Sequence, residues 1–511
     1  MKQLRYYRAL AMKNAPGFIF ALAQIVYDKN MKSVIYLRHL CVVLCVYFLS
    51  ACAVNPVTGK KQVVLMSQAQ EIAMGKEADP QVVASFGLYN DPALQKFLTT
   101  KGLEMAAVSH RPKLAYEFKV VDSPVINAFA LPGGYVYFTR GILAHFNNEA
   151  ELAGVLGHEI GHITARHSVI QQRNAMLGQL GIVAGVILAP ELAQFADPLS
   201  SGLQLALMSF GRDAERQSDK LGVEYSSRIG YDASEMAGFF KTLERQQATS
   251  GQPEIPEFLS THPSPTERNA TVAKLAEEWK LKLKMKNAVV NRESYLKRIE
   301  GMILGEDPRQ GFTENGVFYH PELKFRFSVP EQWKLQNAPQ HVQMAPANGE
   351  AMTIFSLSGG SSLEDAANKT LQQYNLTLVD SKKENINGLS SMIMVADQKL
   401  EQGALRVLSA LIQFDGKMYS IMGISELSKF PNYQNTFAGI VKSFKELKEA
   451  DKLNKKPDVV RIKTVPQAMT VEAALRHFNM PAGRFEELAI LNGMTVSETL
   501  KKGTLLKVVG K

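Results

Sequence analysis

The chain has 511 residues, beyond the size at which one hydrophobic core keeps growing, so two or three domains are expected. Apolar residues make up 46% and charged residues 21%, a balance that excludes wholesale disorder. The formal charge of +9 is concentrated in residues 1–51, where seven basic side chains stand against the single acid Asp28; the rest is nearly neutral, and nucleic-acid binding is not expected.

Residues 1–30 read as an over-extended start or an unusual leader, because Met31 opens a leader of ordinary length by itself. In residues 31–51, Lys32 and Arg38 precede the apolar run Leu40–Leu49, which is too short to span a bilayer comfortably. The run ends in Leu49-Ser50-Ala51-Cys52, which resembles a bacterial lipoprotein signal cleaved before a cysteine that is then acylated. That resemblance implies a lipid on Cys52. With Ala rather than Asp at position 53, it also implies a periplasmic body anchored to the outer membrane of a Gram-negative bacterium. The three cysteines are Cys41, Cys45 and Cys52, so the body beyond them has no thiolate and must hold any metal with His and carboxylates.

Ala128–Phe138 bends at Gly133-Gly134 and continues as Tyr135–Phe138, a pattern that predicts an edge strand with which an extended substrate could pair; an ordinary core hairpin is the alternative. Asn148, followed three residues later by Glu151, predicts a helix N-cap with capping-box support. Leu152, Val155, Leu156, Ile160 and Ile163 then recur at helical spacing, as expected for an amphipathic helix. His158 and His162 lie one turn apart on one face, where two imidazoles can bind one zinc ion, and Glu159 is placed to act on water as a catalytic base. Gly157 and Gly161 cost a helix about 1 kcal/mol each, which predicts close packing of that face against another element.

A third ligand must come from elsewhere, since Ala165 and Ser168 offer no histidine continuation of the motif. Glu215 and Asp219 are four apart on a second predicted helix, so Glu215 can ligate while Asp219 orients a ligand imidazole. Between the two helices, Ala175–Pro190 is apolar but short and reads as a helical hairpin arm packed near the cleft, mobile or lipid-touching or, the favoured of these, plain core.

These pieces together resemble the HtpX, Oma and CAAX-prenyl-protease (Ste24-type) family of zinc metallopeptidases. The matching motifs are Asn127–Gly134, His158–His162, Arg212–Gly222 and Ser260–Arg268, in the family's order over about residues 52–280, and the style is that of soluble periplasmic BepA/LoiP-like lipoprotein members. One departure is Glu215-Arg-Gln-Ser-Asp219, where the family commonly has Glu-x-Glu-Ala-Asp. The resemblance implies a mainly α, zincin-type (gluzincin) peptidase domain with one Zn2+ per chain, held by His158, His162 and Glu215. It also implies Asp219 behind the ligands, Glu159 as catalytic base, and Asn127, Ala128, Gly133 and Gly134 along a substrate strand. His262 is expected to return to the site in a catalytic role, stabilising the oxyanion or covering the metal.

Lys274–Arg298 reads as the last catalytic helix and a solvated linker, giving a peptidase domain over 52–285 and a linker over 286–310. From 311 to 450 the pattern is α+β: Phe325, Phe327 and Val329 alternate, Ser362–Tyr374 reads as a helix, Gly403–Ser425 as a hairpin turning at Asp415-Gly416, and Tyr433–Lys448 as a closing helix. This stretch resembles PsbP/Mog-type domains. Residues 458–511 read strand, helix, helix, strand and are similar to a LysM-like βααβ fold, although the turn at Pro466–Met469 departs from it and argues against peptidoglycan as a ligand. The chain as a whole is therefore expected to be an α+β multidomain protein. Its expected role is that of a metalloendopeptidase acting on unfolded or misassembled envelope proteins, the rival being a periplasmic chaperone or assembly factor with a latent zinc site.

Overall fold

The computed structural model describes residues 52–63, 66–171, 205, 208–249, 257–262, 268–400 and 403–511. The expectations for the leader and for the Ala175–Pro190 arm lie outside the described residues. The chain divides into a unit ending at Ser67 and a unit running from Gln68 to Lys511. In the first, β1 (Cys52–Val54) pairs antiparallel with β2 (Lys61–Val63), and the Asn55 side chain accepts from the backbone N–H of Val57 and Thr58 in the turn between them.

The second unit is a mixed helix-and-sheet assembly of several parts. It opens with α1 (Gln68–Phe86) and α2 (Pro92–Ala107), followed by the three-stranded sheet β3 (Glu117–Val121), β4 (Ala128–Leu131) and β5 (Tyr135–Thr139) in the order β3-β5-β4. β3 runs parallel to β5 and β4 antiparallel to it. The expected single edge strand over Ala128–Phe138 is thus a hairpin, with only its first arm at the edge and its second in the centre. Gly133 and Gly134 make the turn with φ of 85° and 112°, and a Cβ on Gly134 would fall 2.3 Å from the Ala115 carbonyl oxygen, so the bend requires glycine.

Thr139 caps α3 (Arg140–His145), and Asn148 caps α4 (Glu149–Ala165) by accepting from the Glu151 N–H at 2.8 Å. Glu151 reaches back one residue further than a standard capping box, accepting from the Asn147 N–H at 2.6 Å. All 17 residues of α4 are buried, so the helix is not amphipathic in the sense expected: it runs through the core and presents no face to water. Next come α5 (Arg212–Arg228), α6 (Glu235–Thr249), α7 (Glu257–Thr261), α8 (Arg268–Lys282) and α9 (Arg292–Arg298), with α5 packed along α4. The two helices cross at glycine: a Cβ on Gly157 would lie 2.9 Å from both Cα and O of Gly222, and one on Gly222 would lie 3.0 Å from the Gly154 carbonyl oxygen.

The stretch read as a solvated linker, 286–310, is instead packed. Tyr295, Leu296, Ile299 and Met302 are buried, Tyr295 Oη donates to the Leu143 carbonyl at 2.7 Å, and Asn291 and Ser294 donate to Glu149 at the start of α4. A charged composition misled here because the few apolar positions that dock are spaced among basic residues on the other face.

Beyond it lie two antiparallel sheets. A four-stranded sheet contains β6 (Phe312–Glu314), β7 (Val317–His320), β8 (Phe325–Ser328) and, after the larger sheet, β16 (Lys445–Glu446). A seven-stranded sheet has the order β12-β13-β14-β15-β11-β10-β9, formed by β9 (Trp333–Asn337), β10 (His341–Pro346), β11 (Ala351–Leu357), β12 (Thr377–Ile386), β13 (Leu389–Lys399), β14 (Ala404–Phe414) and β15 (Lys417–Glu426). Helix α10 (Leu363–Gln373) is capped by Ser362, and Asp415-Gly416 turns the β14–β15 hairpin with φ of 47° and 70°. The sequence reading missed the β12–β13 hairpin, which turns in the same way at Asn387-Gly388 with φ of 53° and 88°; that Asn-Gly pair was the signal. The closing helix is α11 (Phe430–Ser443), starting three residues and ending five residues earlier than expected; it ends there because the chain at Lys445–Glu446 leaves it to pair with β8.

After the short α12 (Ala450–Leu453), the last part is βααβ: β17 (Val459–Thr464), β18 (Met469–Thr470), α13 (Val471–His477), α14 (Phe485–Leu491), β19 (Thr499–Leu500) and β20 (Leu505–Gly510), with β17 paired to β20 and β18 to β19. It is docked on the helical part. Lys507 is fully buried, and its Nζ donates to the carbonyls of Ala144, Phe146 and His145 at 2.9, 3.0 and 3.2 Å, closing the C-terminal end of α3. Gly301 donates its N–H to the Val460 carbonyl and Val460 donates back to Met302, both at 2.8 Å.

Gly157→Ala should lose about 1–3 kcal/mol of stability by overpacking the crossing, read as a lower denaturant midpoint. Gly439→Ala, in α11 with nothing within 4 Å of the new Cβ, should hold or gain stability. Equal midpoints for the two variants would show that the helix crossing does not depend on glycine.

Candidate metal centre

Two neighbouring helices and a returning loop bring four donor groups together. His158 and His162 come from successive turns of α4, Glu215 from the first turn of α5, and His262 from the residue after α7. One donor atom from each lies within 4.8 Å of the others, and all four side chains are buried. Nε2 of His162 is 3.0 Å from Nε2 of His158 and 3.4 Å from Glu215 Oε1, and His262 Nδ1 is 3.1 Å from Glu215 Oε1 and 3.3 Å from His158 Nε2.

The donor set fits a cation. Lone pairs outnumber protons where three imidazole nitrogens and a carboxylate converge, and Glu215 Oε2 is buried without a hydrogen-bond partner among the described residues. Nitrogen and oxygen donors with no sulfur, arranged around one point, suit a tetrahedral divalent metal.

Asp219, one turn after Glu215, accepts from His158 Nδ1 at 2.9 Å. Arg268 at the start of α8 grips Asp219 with two bonds, Nη2 to Oδ1 at 2.7 Å and Nε to Oδ2 at 2.8 Å, while its guanidinium lies 3.9 Å over the Phe240 ring. Phe210 stacks on His162 with ring centroids 4.1 Å apart. On the far side of His162, Nδ1 of His167 lies 3.1 Å from Nδ1 of His162. Glu159 follows His158 in the chain and points into the same region. Neither of its oxygens has a hydrogen-bond partner among the described residues, and Oε1 is 3.7 Å from His262 Nε2.

The electrostatics of the metal-free protein follow from this packing. Burial pushes the Glu159 carboxyl above the usual range, and the nearby imidazoles only partly offset it. Burial also disfavours charge on His158, but hydrogen bonds to Asp219 and Glu215 outweigh it and hold that imidazole at about 9. Burial holds His162 well below the ordinary value despite its hydrogen bond to Glu215, and burial lowers His167 to about 4. Burial opposes ionisation of Glu215 and Asp219 as well. The surrounding imidazoles win at Glu215 and Arg268 wins at Asp219, so both carboxyls sit below the usual range.

Of the residues singled out from sequence, the structure therefore brings His158, His162, Glu215, His262, Glu159 and Asp219 to one point. The proposed substrate strand is placed differently from the expectation: Asn127 and all of β4 are buried, and Leu205 packs against the cluster containing Phe129 and Leu131. Sequence reasoning missed the parts played by Phe210, Arg268 and His167. Phe210 and Arg268 carry no periodic signal, and His167 is reached only because the chain reverses at Arg166, whose φ of 60° no spacing rule anticipates.

The model of peptidase family M48 matches residues 92–276. The beta-barrel assembly-enhancing protease of Yersinia pestis is 33% identical over 302 residues, 57% of this chain and 57% of that protein. The protein of that name from Escherichia coli O157:H7 is 32% identical over 221 residues, 42% of this chain and 45% of its own length. The chain thus spans about half the length of the curated relatives it matches. The solved structure of a PsbP from the cyanobacterium Synechocystis is similar with a TM-score of 0.22 and 13% identity, over 25% of this chain and 91% of that one.

Arg268→Gln should destabilise the metal-free protein by about 3–5 kcal/mol near neutral pH, because Asp219 is left buried and unpaired. The sign in pH follows from the lowered folded value of Asp219: the pair stabilises above the unfolded carboxylate range near ~3.9 and its contribution is lost as pH falls through the folded value. Urea midpoints of wild type and variant measured from pH 7 to pH 3 should differ most at the upper end and converge toward the lower. A gap that widens in acid would overturn the assignment.

Proposed function

With residues 92–276 a peptidase family M48 domain, we propose that the chain is a zinc-dependent metalloendopeptidase of the cell envelope. The observation that carries this is the buried cluster of His158, His162 and Glu215 with a carboxylate, Glu159, beside it and free of hydrogen bonds among the described residues. A purely structural metal site has no use for a base held next to its ligands.

In this reading His158, His162 and Glu215 hold one Zn2+, and Asp219, fixed by Arg268, sets the orientation of His158. Zinc when bound supplies Lewis-acid polarisation and activates water. Glu159 takes a proton at a carboxylate oxygen as water attacks the peptide carbonyl, then returns it to the leaving amine nitrogen. His262 faces the same point, where its imidazole can stabilise the oxyanion once it yields its place in the cluster. Asn127, Ala128, Gly133 and Gly134 remain the candidate substrate strand because β4 lies at the edge of its sheet, although its side chains are buried.

The substrate class we assign is unfolded or misassembled envelope protein, supported by the names of the relatives, beta-barrel assembly-enhancing proteases. A lipid on Cys52 would hold the body at the periplasmic face of the outer membrane; no helix among the described residues is long and apolar enough to cross a membrane. We assign a gluzincin peptidase domain to 52–285, a PsbP/Mog-like domain to 311–450 and a LysM-like unit to 458–511. The close docking of the last of these supports a role in holding the peptidase more than one in peptidoglycan binding.

One observation favours a second reading, a chaperone or assembly factor with a latent site. Glu159 and His262 are 0% and 1% exposed, and His262 packs among Glu159, Glu215 and His158 at 3.7, 3.1 and 3.3 Å.

Zinc content and casein cleavage of the purified protein separate the two. Wild type should hold one zinc and cleave; Glu159→Gln should keep the zinc while losing about 100- to 10,000-fold in rate; and Glu215→Ala should lose the metal. Zinc without any cleavage would put the chaperone reading first, and a protein that binds no zinc would end both.

A further inference from the structure

We propose that His167 is a positioning residue for the metal centre, accepting the Nδ1–H of His162 so that the Nε2 lone pair of His162 faces the metal. The proposal rests on the reading that His162 is a ligand.

A ligand imidazole uses one nitrogen for the metal and keeps its proton on the other, which needs an acceptor; the usual acceptors are carboxylates and carbonyls. His158 has such a partner in Asp219. His162 does not. Its Nε2 faces His158 and Glu215, and the partner its Nδ1 finds among the described residues is the Nδ1 of His167 at 3.1 Å. Only one proton fits between two nitrogens at that distance. If His162 holds it, His167 must carry its own proton on Nε2, and there Gln217 Oε1 waits at 3.0 Å to accept. Ser218 Oγ, 3.2 Å from His167 Nδ1, can donate to that nitrogen or accept from it, so the choice of tautomer falls to Gln217.

The reverse arrangement is self-defeating. Were Gln217 to present its amide N–H, His167 would keep its proton on Nδ1, His162 Nδ1 would have to accept it, and the proton of His162 would move to Nε2, pointing into the cluster. The orientation of one amide in α5 therefore selects the tautomer of a ligand in α4. Gln217 and Ser218 lie between Glu215 and Asp219, so one short stretch of α5 serves both ligand histidines, His158 through a carboxylate and His162 through an imidazole. Gln217 and Ser218 are also the two positions at which this chain departs from the Glu-x-Glu-Ala-Asp pattern.

The placement of His167 is built in. Arg166, the C-cap of α4, adopts φ 60° and ψ 37°, and this left-handed residue swings His167 back over the ring of His162. Such a conformation persists in a non-glycine residue when its surroundings over-determine it. Here Arg166 Nε donates to Glu71 Oε2 at 2.8 Å, and Arg111 Nη1 donates to Glu71 Oε1 at 2.7 Å and to the Ile163 carbonyl at 3.0 Å. Glu71 is 1% exposed, so the pairing is shielded from water.

The test is zinc affinity of the full-length wild type, His167→Ala and His167→Asn by chelator competition, with unfolding midpoints of the metal-free proteins and imidazole nitrogen NMR of the wild type. His167→Ala should bind zinc about 10- to 100-fold more weakly, His167→Asn should recover most of that loss because its amide oxygen can accept, and His162 should carry its proton on Nδ1. His167→Ala binding as tightly as wild type, or His167→Asn as weakly as His167→Ala, would overturn the proposal. So would lower midpoints with unchanged affinity, which is the mark of a merely structural residue. A wild type that binds no zinc would instead overturn the reading of the metal centre and this inference with it.

Discussion

The close crossing of α4 and α5 is the constraint on which the site depends. Packed helices ordinarily keep their axes about 8–10 Å apart, and side chains at the contact set that distance. Here Gly157 meets the backbone of Gly222, Gly222 meets the Gly154 carbonyl, and Gly161 meets Ser218 and Leu221, so backbone approaches backbone. The glycines of α4 lie beside the ligand histidines, and Gly222 lies one turn beyond Asp219. Moving α5 outward by a methyl group would carry Glu215 away from His158 and His162 together. The helical propensity lost at these glycines is recovered as the approach of two ligand-bearing elements.

A helix buried along its whole length must find partners for every polar group it carries. The two ends of α4 solve this differently. At the start, Glu149 accepts from Tyr231, Asn291 and Ser294, which ties the helix to residues well beyond the site. At the end, Arg111 and Arg166 share Glu71, and Arg111 also donates to the Ile163 carbonyl, which the Arg166 N–H donates to as well, placing positive charge where the helix dipole favours it. The C-terminal βααβ part belongs to the same scheme. Burial holds the Lys507 ammonium well below its ordinary value and pushes the Glu151 carboxyl up to about 7, each group partly countering the other, while Lys507 closes the last carbonyls of α3. Chain that composition would assign to a linker and a separate module thus supplies the far side of the helix carrying the ligands.

The residues that do chemistry were the most legible part of this chain, because chemistry leaves a local pattern. His158, Glu159 and His162 are spaced by a helical turn, and Glu215 and Asp219 repeat that spacing. The cap at Asn148 and the turn at Asp415-Gly416 use residue types with one strong backbone preference. The residues that support the chemistry were much less visible. Arg268 reaches Asp219 from 49 positions away and Arg111 reaches Glu71 from 40, and no window of sequence contains both ends of such a pair. Burial was misread for a related reason: the apolar spacing of α4 predicts a covered face, but what covers the opposite face arrives from α5, α6, β4 and α9.

By itself, then, the sequence determined which residues share a helix face, where helices and hairpins begin and turn, and that any metal must be held by histidine and carboxylate, since all of these depend on near neighbours and on composition. Tertiary structure alone decided that His262 joins His158, His162 and Glu215, that His167 turns back onto His162, and that the segment after residue 286 and the βααβ part are built into the core. Those outcomes depend on the shape complementarity of surfaces far apart in the chain, and a linear pattern does not encode it.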